Sequence, residues 1–253
     1  MFTKPLSLLF FISPLSCLSY AQSGSPADSA FYHSALGNTI NYFYANSKSV
    51  CTCLNGKEYI APSFSFSEGS PFFLAAEAKD GTLVYDHVFY DGVHLLYDEL
   101  QNNLVFVDEN HRIMLLNEKV ERFSILGHQF VNIEQQEPIN EDHPTGYFQI
   151  LYEGKSVMLK KEEKTIRELN SFSAEEKVRV IDTRSVYYLK RGNHYFKIDG
   201  EKSFFEVWGN YQKEIAAFIK HNKIKLKKEL DIDYARITAF CDELSPQFTL
   251  PVK

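Results

Sequence analysis

The sequence predicts a mainly β protein of α+β character: an antiparallel meander forming a sandwich or barrel-like scaffold, with one N-terminal helix and further helices at the C-terminus. Three observations predict it. Turn-forming dipeptides recur about every ten residues through the middle of the chain, the rhythm of neighbouring strands. The runs between them are short and rich in aromatic and β-branched residues, drawing on 21 Phe and 15 Tyr in 253 residues. Helix-length apolar stripes stand only at the two ends.

Met1–Lys4 is a short basic start, Leu6–Leu18 an apolar stretch, and Ser19-Tyr20-Ala21 offers small residues where a signal peptidase reads. Residues 1–21 therefore read as a signal peptide, with the mature chain starting at Gln22. The expected location is the periplasm, the outer membrane or the medium, and any membrane contact is peripheral. Ser25-Pro26-Ala27-Asp28 is a helix start, and Tyr32, Leu36, Ile40 and Phe43 continue it as one stripe, giving a helix over Ala27–Tyr44.

From Ser49 the pattern switches to strands. Asn55-Gly56, Asp80-Gly81 and Asp91-Gly92 are expected hairpin turns, since both residue types tolerate positive φ. Strands are expected over 82–85, 88–90, 93–97, 104–107, 112–116, 120–125 and 128–133. Residues 22–137 form the first region, 138–145 a polar loop with two prolines nearby, and 146–253 a second β region followed by helices. The two regions are compatible with one continuous domain. Near the end, Tyr211, Ile215, Phe218 and Ile219 make one apolar face, and Tyr234, Ile237, Cys241 and Leu244 another, with Asp231 or Asp233 as its cap.

A formal net charge of −6 argues against nucleic acid as a partner. No cofactor or metal is expected: the eight His share no zinc-motif spacing, although three strands could bring His87, His94 and His128 together. No nucleophile motif or phosphate-binding loop occurs. A carboxylate-dependent hydrolase would need a facing pair such as Asp86 and Asp98. Export permits a disulfide from Cys51 or Cys53 to Cys241, against the alternative of three buried thiols.

Two surfaces are candidates for recognition. Phe64, Phe66, Phe72 and Phe73 lie in a Ser/Gly/Pro-rich stretch and could present rings to a glycan or peptide, with core packing as the alternative. Lys220, Lys223, Lys225, Lys227 and Lys228 form a basic patch that could meet an acidic partner or lipid, with a solvated helix end as the alternative.

The runs Gly81–Asp86, Tyr90–Val93, Leu96-Tyr97-Asp98, Gly127–Phe130 and Leu151–Gly154, with Lys213-Glu214-Ile215 and Phe218-Ile219-Lys220, resemble a group of exported Bacteroidota proteins of unknown function. The resemblance spans most of the mature chain and rests on turn glycines and strand aromatics. It implies the compartment and the β architecture, and carries no activity. The resulting expectation is a non-catalytic envelope protein acting as an interaction or accessory subunit for another protein. The alternatives are a glycan- or peptide-binding module and, less favoured, the hydrolase.

Overall fold

A computed structural model describes residues 56–108, 111–134, 143–169, 178–226 and 230–244. The expected signal peptide, the helix over 27–44, and Cys51 and Cys53 lie outside the described residues. The strands are β1 (Lys57–Glu58), β2 (Lys79–Tyr85), β3 (Val88–Asp98), β4 (Asn103–Val107), β5 (Arg112–Met114) and β6 (Val120–Ile125). They continue as β7 (His128–Ile133), β8 (Gly146–Glu153), β9 (Ser156–Leu169), β10 (Val178–Arg191) and β11 (His194–Ile198). All form one sheet in the order β1-β5-β4-β3-β2-β6-β7-β8-β9-β10-β11. Three helices follow: α1 (Glu201–Trp208), α2 (Gln212–His221) and α3 (Leu230–Leu244). The protein is thus mainly antiparallel β with helices gathered at its C-terminal end. Ile133 pairs with Gly146, so the sheet runs unbroken across the polar stretch between the two β regions.

The sheet is strongly curled. Flat strands lie ~4.8 Å apart, which would put β9 about 24 Å from β3, five strands away. Yet Lys164 Nζ on β9 lies 2.7 Å from the carboxylate of Glu99, the residue after β3. The segment ahead of β2 gives a second measure. Glu68 bridges to Val180 of β10 and Phe72 bridges to Asp98 of β3. Four residues reach ~14 Å at most, half the ~29 Å between those strands in a flat sheet. Only a rolled, barrel-like sheet satisfies both contacts.

Bulges supply the bend. Gly92 is the extra residue where β3 pairs β2, Glu121 where β6 pairs β2, and Leu151 where β8 pairs β9. Each increases local twist and reverses which face the following residues occupy. This is why Tyr90 shares a face with Leu95 and Tyr97, and Val120 with Phe123 and Ile125. The enclosed core is aromatic: Phe123 stacks on Phe130 with ring centres 4.6 Å apart, and Tyr97 packs edge-on against Phe123, Phe130 and Tyr147. A second core lies under the helices, where Met158, Tyr187 and Leu189 meet Phe204, Tyr234, Ile237 and Cys241.

Several local expectations need correction. Asp80-Gly81 lies inside β2 and Asp91-Gly92 inside β3, where Gly92 at φ 65° makes the bulge. The turn between these strands is Asp86-His87, with φ of 52° and 65°. Two expected short strands are therefore one of 11 residues. Asp231 and Asp233 stand in the first turn of α3, behind Leu230, and do not precede it. Helix α1 was not foreseen. Its start is held by Ser203 Oγ, which accepts from the backbone N–H of Asp199 and Gly200.

Candidate functional site

A concavity lies where the first turns of α3 cross β7 to β10. It encloses about 700 Å³. Leu151 of β8 lines one side; Leu230, Ile232 and Ala235 of α3 line the other. At the base, Lys160 Nζ lies 2.7 Å from Asp231 Oδ2 and 2.8 Å from Glu162 Oε1. Tyr187 donates to Asp231 Oδ1 at 2.7 Å, and Ser185 Oγ donates to Glu162 at 2.9 Å. Burial opposes the charge on Lys160, but the two carboxylates outweigh it and hold the ammonium above its ordinary range. Burial first, then the bond to Asp231, pushes the Tyr187 phenol far up, so it stays protonated. Gln149 Nε2 and His128 Nδ1 lie 3.0 Å apart on the rim. The ammonium and the two carboxylates at this base are already bonded to one another, and to Tyr187 and Ser185, so it suits orientation of a ligand better than proton transfer. Tyr187 and Leu230 also wall a smaller cavity of about 460 Å³ toward β11 and α1.

A second feature is a two-stranded ribbon. β8 pairs with β9 only over Val157–Lys160, whereas β9 and β10 stay paired to Leu169 and Val178. The outer edge of β10 is covered: Ser67 N–H donates to the Arg179 carbonyl, and Ile181 N–H to the Glu68 carbonyl. Among the described residues, no strand pairs with the other edge, Lys161–Leu169. Three of its charged side chains are drawn onto the ribbon itself. Arg184 bonds Glu163 (2.8 Å), Arg167 bonds Asp182 (2.6 Å) and Arg179 bonds Glu168 (3.2 Å). Ile166 and Leu169 remain 42% and 39% exposed along that edge.

No protein-family model, curated protein or solved structure matches this chain.

The residues singled out from sequence are scattered. Phe73 is 7% exposed and packs edge-on to Phe130 in the aromatic core. Phe72 packs on Tyr59 beneath the crossing segment. Phe64 and Phe66 touch edge-on, with the Arg179 guanidinium 4.3 Å from the Phe64 ring centre. The four rings therefore make no common platform: Phe73 is a core residue because β3 and β7 close over it. Lys220, Lys223 and Lys225 are exposed, while Lys227 and Lys228 lie outside the described residues. Lys223, at φ 53°, turns the chain out of α2, and its N–H closes on the Lys220 carbonyl. Cys241 is a buried thiol in the helix-side core, and burial pushes its pKa far up.

The carboxylates do not face each other. Asp86 and Asp98 stand at opposite ends of β3, about 35 Å apart along a strand of that length. Asp86 pairs with Lys119 at 2.9 Å, and Asp91 accepts the Gly92 N–H. Asp98 is fully buried, accepting from Tyr59 OH at 2.7 Å and Gln101 N–H at 3.0 Å. A glycosidase pair sits ~5–10 Å apart, so this pair cannot serve as one. His87 and His94 pair with Glu121 and Asp80, away from His128. Among the described residues, no three His, Cys, Asp or Glu side chains are grouped as metal ligands.

The groove was missed from sequence because its walls come from β8 and α3, some eighty residues apart in the chain. The only local signal was the apolar pair Leu230 and Ile232 flanking Asp231, which lies off the stripe that defines the buried face of α3.

Proposed function

We propose that the protein is a non-catalytic, exported component of the cell envelope that works by binding another protein, as an interaction or accessory subunit. The observation that carries this reading is the Lys161–Leu169 side of β9, with which no strand pairs among the described residues. An open strand edge presents a row of backbone donors and acceptors, and an extended segment can add to it as a further strand. Edge charges ordinarily discourage such pairing. Here Glu163, Arg167 and Glu168 are taken up by partners on β10, which leaves the backbone and the exposed Ile166 and Leu169 for a partner. The partner's contribution is an extended segment with apolar side chains facing those two residues.

A photoreactive residue placed at Thr165 of the full-length protein, in its native envelope, tests the reading. A discrete adduct is expected there, absent from a probe at Gln212 on α2, and lost when Ile166→Asp and Leu169→Asp are combined. An adduct of equal yield at Gln212, or one that survives the double substitution, would overturn it. Export has its own check: the mature chain recovered from the envelope fraction should begin at Gln22.

A further inference from the structure

We propose that the cavity beneath α3 is a binding site for an anionic amphiphile, with its alkyl chain in the groove and its head group at the rim nearest Arg236. The site is separate from the ribbon edge and does not rest on the protein-binding reading. Three observations converge on it.

The cavity, at about 700 Å³, lies within the ~300–1,000 Å³ range of small-molecule sites. Away from its polar base the cavity is aliphatic, with Leu151 of β8 on one side and Leu230, Ile232 and Ala235 of α3 on the other. Ile232 is 56% exposed at the mouth, so a ligand entering there would cover apolar surface. An alkyl chain fits that aliphatic part of the lining.

The polar base does not favour a charged head group. Lys160 is already shared between Asp231 and Glu162, and Tyr187 already donates to Asp231. A head group placed there would have to displace bonds of 2.7–2.8 Å. The charged end of a ligand is therefore directed outward to the rim.

The rim is cationic on one side. Arg236 lines the cavity and is exposed; its guanidinium lies 3.5 Å from Asn222 Oδ1, and among the described residues no carboxylate pairs with it. Asn222 ends α2, next to exposed Lys223 and two residues after exposed Lys220. The contact ties the mouth of the cavity to the described part of the basic patch. An apolar cleft opening beside Arg236, Lys220 and Lys223 matches a ligand with a hydrocarbon body and a carboxylate or phosphate head. Arg supplies a two-pronged donor suited to either group.

Calorimetric titration of the full mature chain with dodecanoate, below its micelle concentration, tests the site. One-to-one binding in the micromolar range is expected. Decanoate should bind roughly tenfold more weakly, since each methylene removed from a buried site costs about three- to fourfold in affinity. Dodecyltrimethylammonium should bind more weakly than dodecanoate. Arg236→Gln should weaken dodecanoate about tenfold and leave a neutral dodecyl glycoside unchanged. Ala235→Trp, which fills the groove, should abolish binding of both. The chain-length and head-group series need only the wild-type protein, so they stand even if Ala235→Trp does not fold. Equal affinity for decanoate and dodecanoate, equal affinity for the cationic and anionic amphiphiles, or no binding of dodecanoate would each overturn the proposal.

Discussion

Leu126 holds a φ of 54° in the turn between β6 and β7, beside Gly127 at 79°. The left-handed region crowds a Cβ against its own backbone and costs an ordinary L-residue about 1–2 kcal/mol. Leu126 is 42% exposed and lies in none of the buried clusters, so little packing offsets that strain. Asn tolerates the conformation through local hydrogen bonding of its side chain. Leu126→Asn should therefore stabilise the protein by up to about 1 kcal/mol and raise Tm by a few degrees in a thermal melt. A lower Tm would mean that Leu126 has an apolar partner which outweighs the strain. At this scale the sequence is readable where a residue acts locally, as Asp91 does in bonding the next N–H. It is unreadable where the partner is remote. Nothing near Asp98 in the chain announces Tyr59, and nothing near Asp231 announces Lys160.

Elements were legible as a rhythm but not as boundaries. The aromatic runs of β2, β6 and β7 are plain in the sequence because each buries mainly one face, and that of β3 because its last four residues are buried on both faces. Their turns were not, because a Gly beside an Asp serves a bulge as well as a hairpin. Residues 80–98 contain two such pairs and turn at neither. The groove needed the register of four strands beneath a helix, which no local pattern carries. Strand pairing also creates contacts that skip a neighbour. Arg122 of β6 reaches over β7 to Glu153 of β8, with both guanidinium nitrogens bonded to the carboxylate at 2.7 and 3.0 Å. The bond to Arg122 lowers the Glu153 carboxyl below its ordinary range. A carboxyl depressed in the folded state adds stability above its unfolded pKa and loses it as pH falls through the folded value. Wild type should therefore exceed Glu153→Gln in urea midpoint at pH 7, and the gap should close between about pH 5 and pH 3. A gap independent of pH would show that the side chain acts by packing and not by charge.

For the molecule as a whole, the decisive contact is the one that joins β9 to the end of β3 across the rolled sheet. Lys164 Nζ lies 2.7 Å from the Glu99 carboxylate and donates to the carbonyls of Ser70 and Phe72 at 2.8 and 2.9 Å. One ammonium thus holds β9, the end of β3 and the crossing segment together, with the two charged side chains 8% and 5% exposed. Such a pair is costly to desolvate and adds little net stability over an apolar replacement, but removing one partner strands the other. Burial lifts the Glu99 carboxyl above its ordinary range, against the pull of Lys164. Lys164→Met should cost about 3–5 kcal/mol at pH 7, where Glu99 would be buried, charged and unpaired. The cost should shrink as pH falls and the stranded carboxyl takes up a proton, because the raised pKa favours the neutral form in the folded state. Adding Glu99→Gln to Lys164→Met should recover part of the loss at pH 7. Amide exchange should then speed up over residues 66–73, leaving the core of β2, β6 and β7 protected. If Lys164→Met costs less than about 1 kcal/mol, or exchange rises uniformly, the sheet is held in its rolled form by the aromatic core alone and this ion pair is incidental to it.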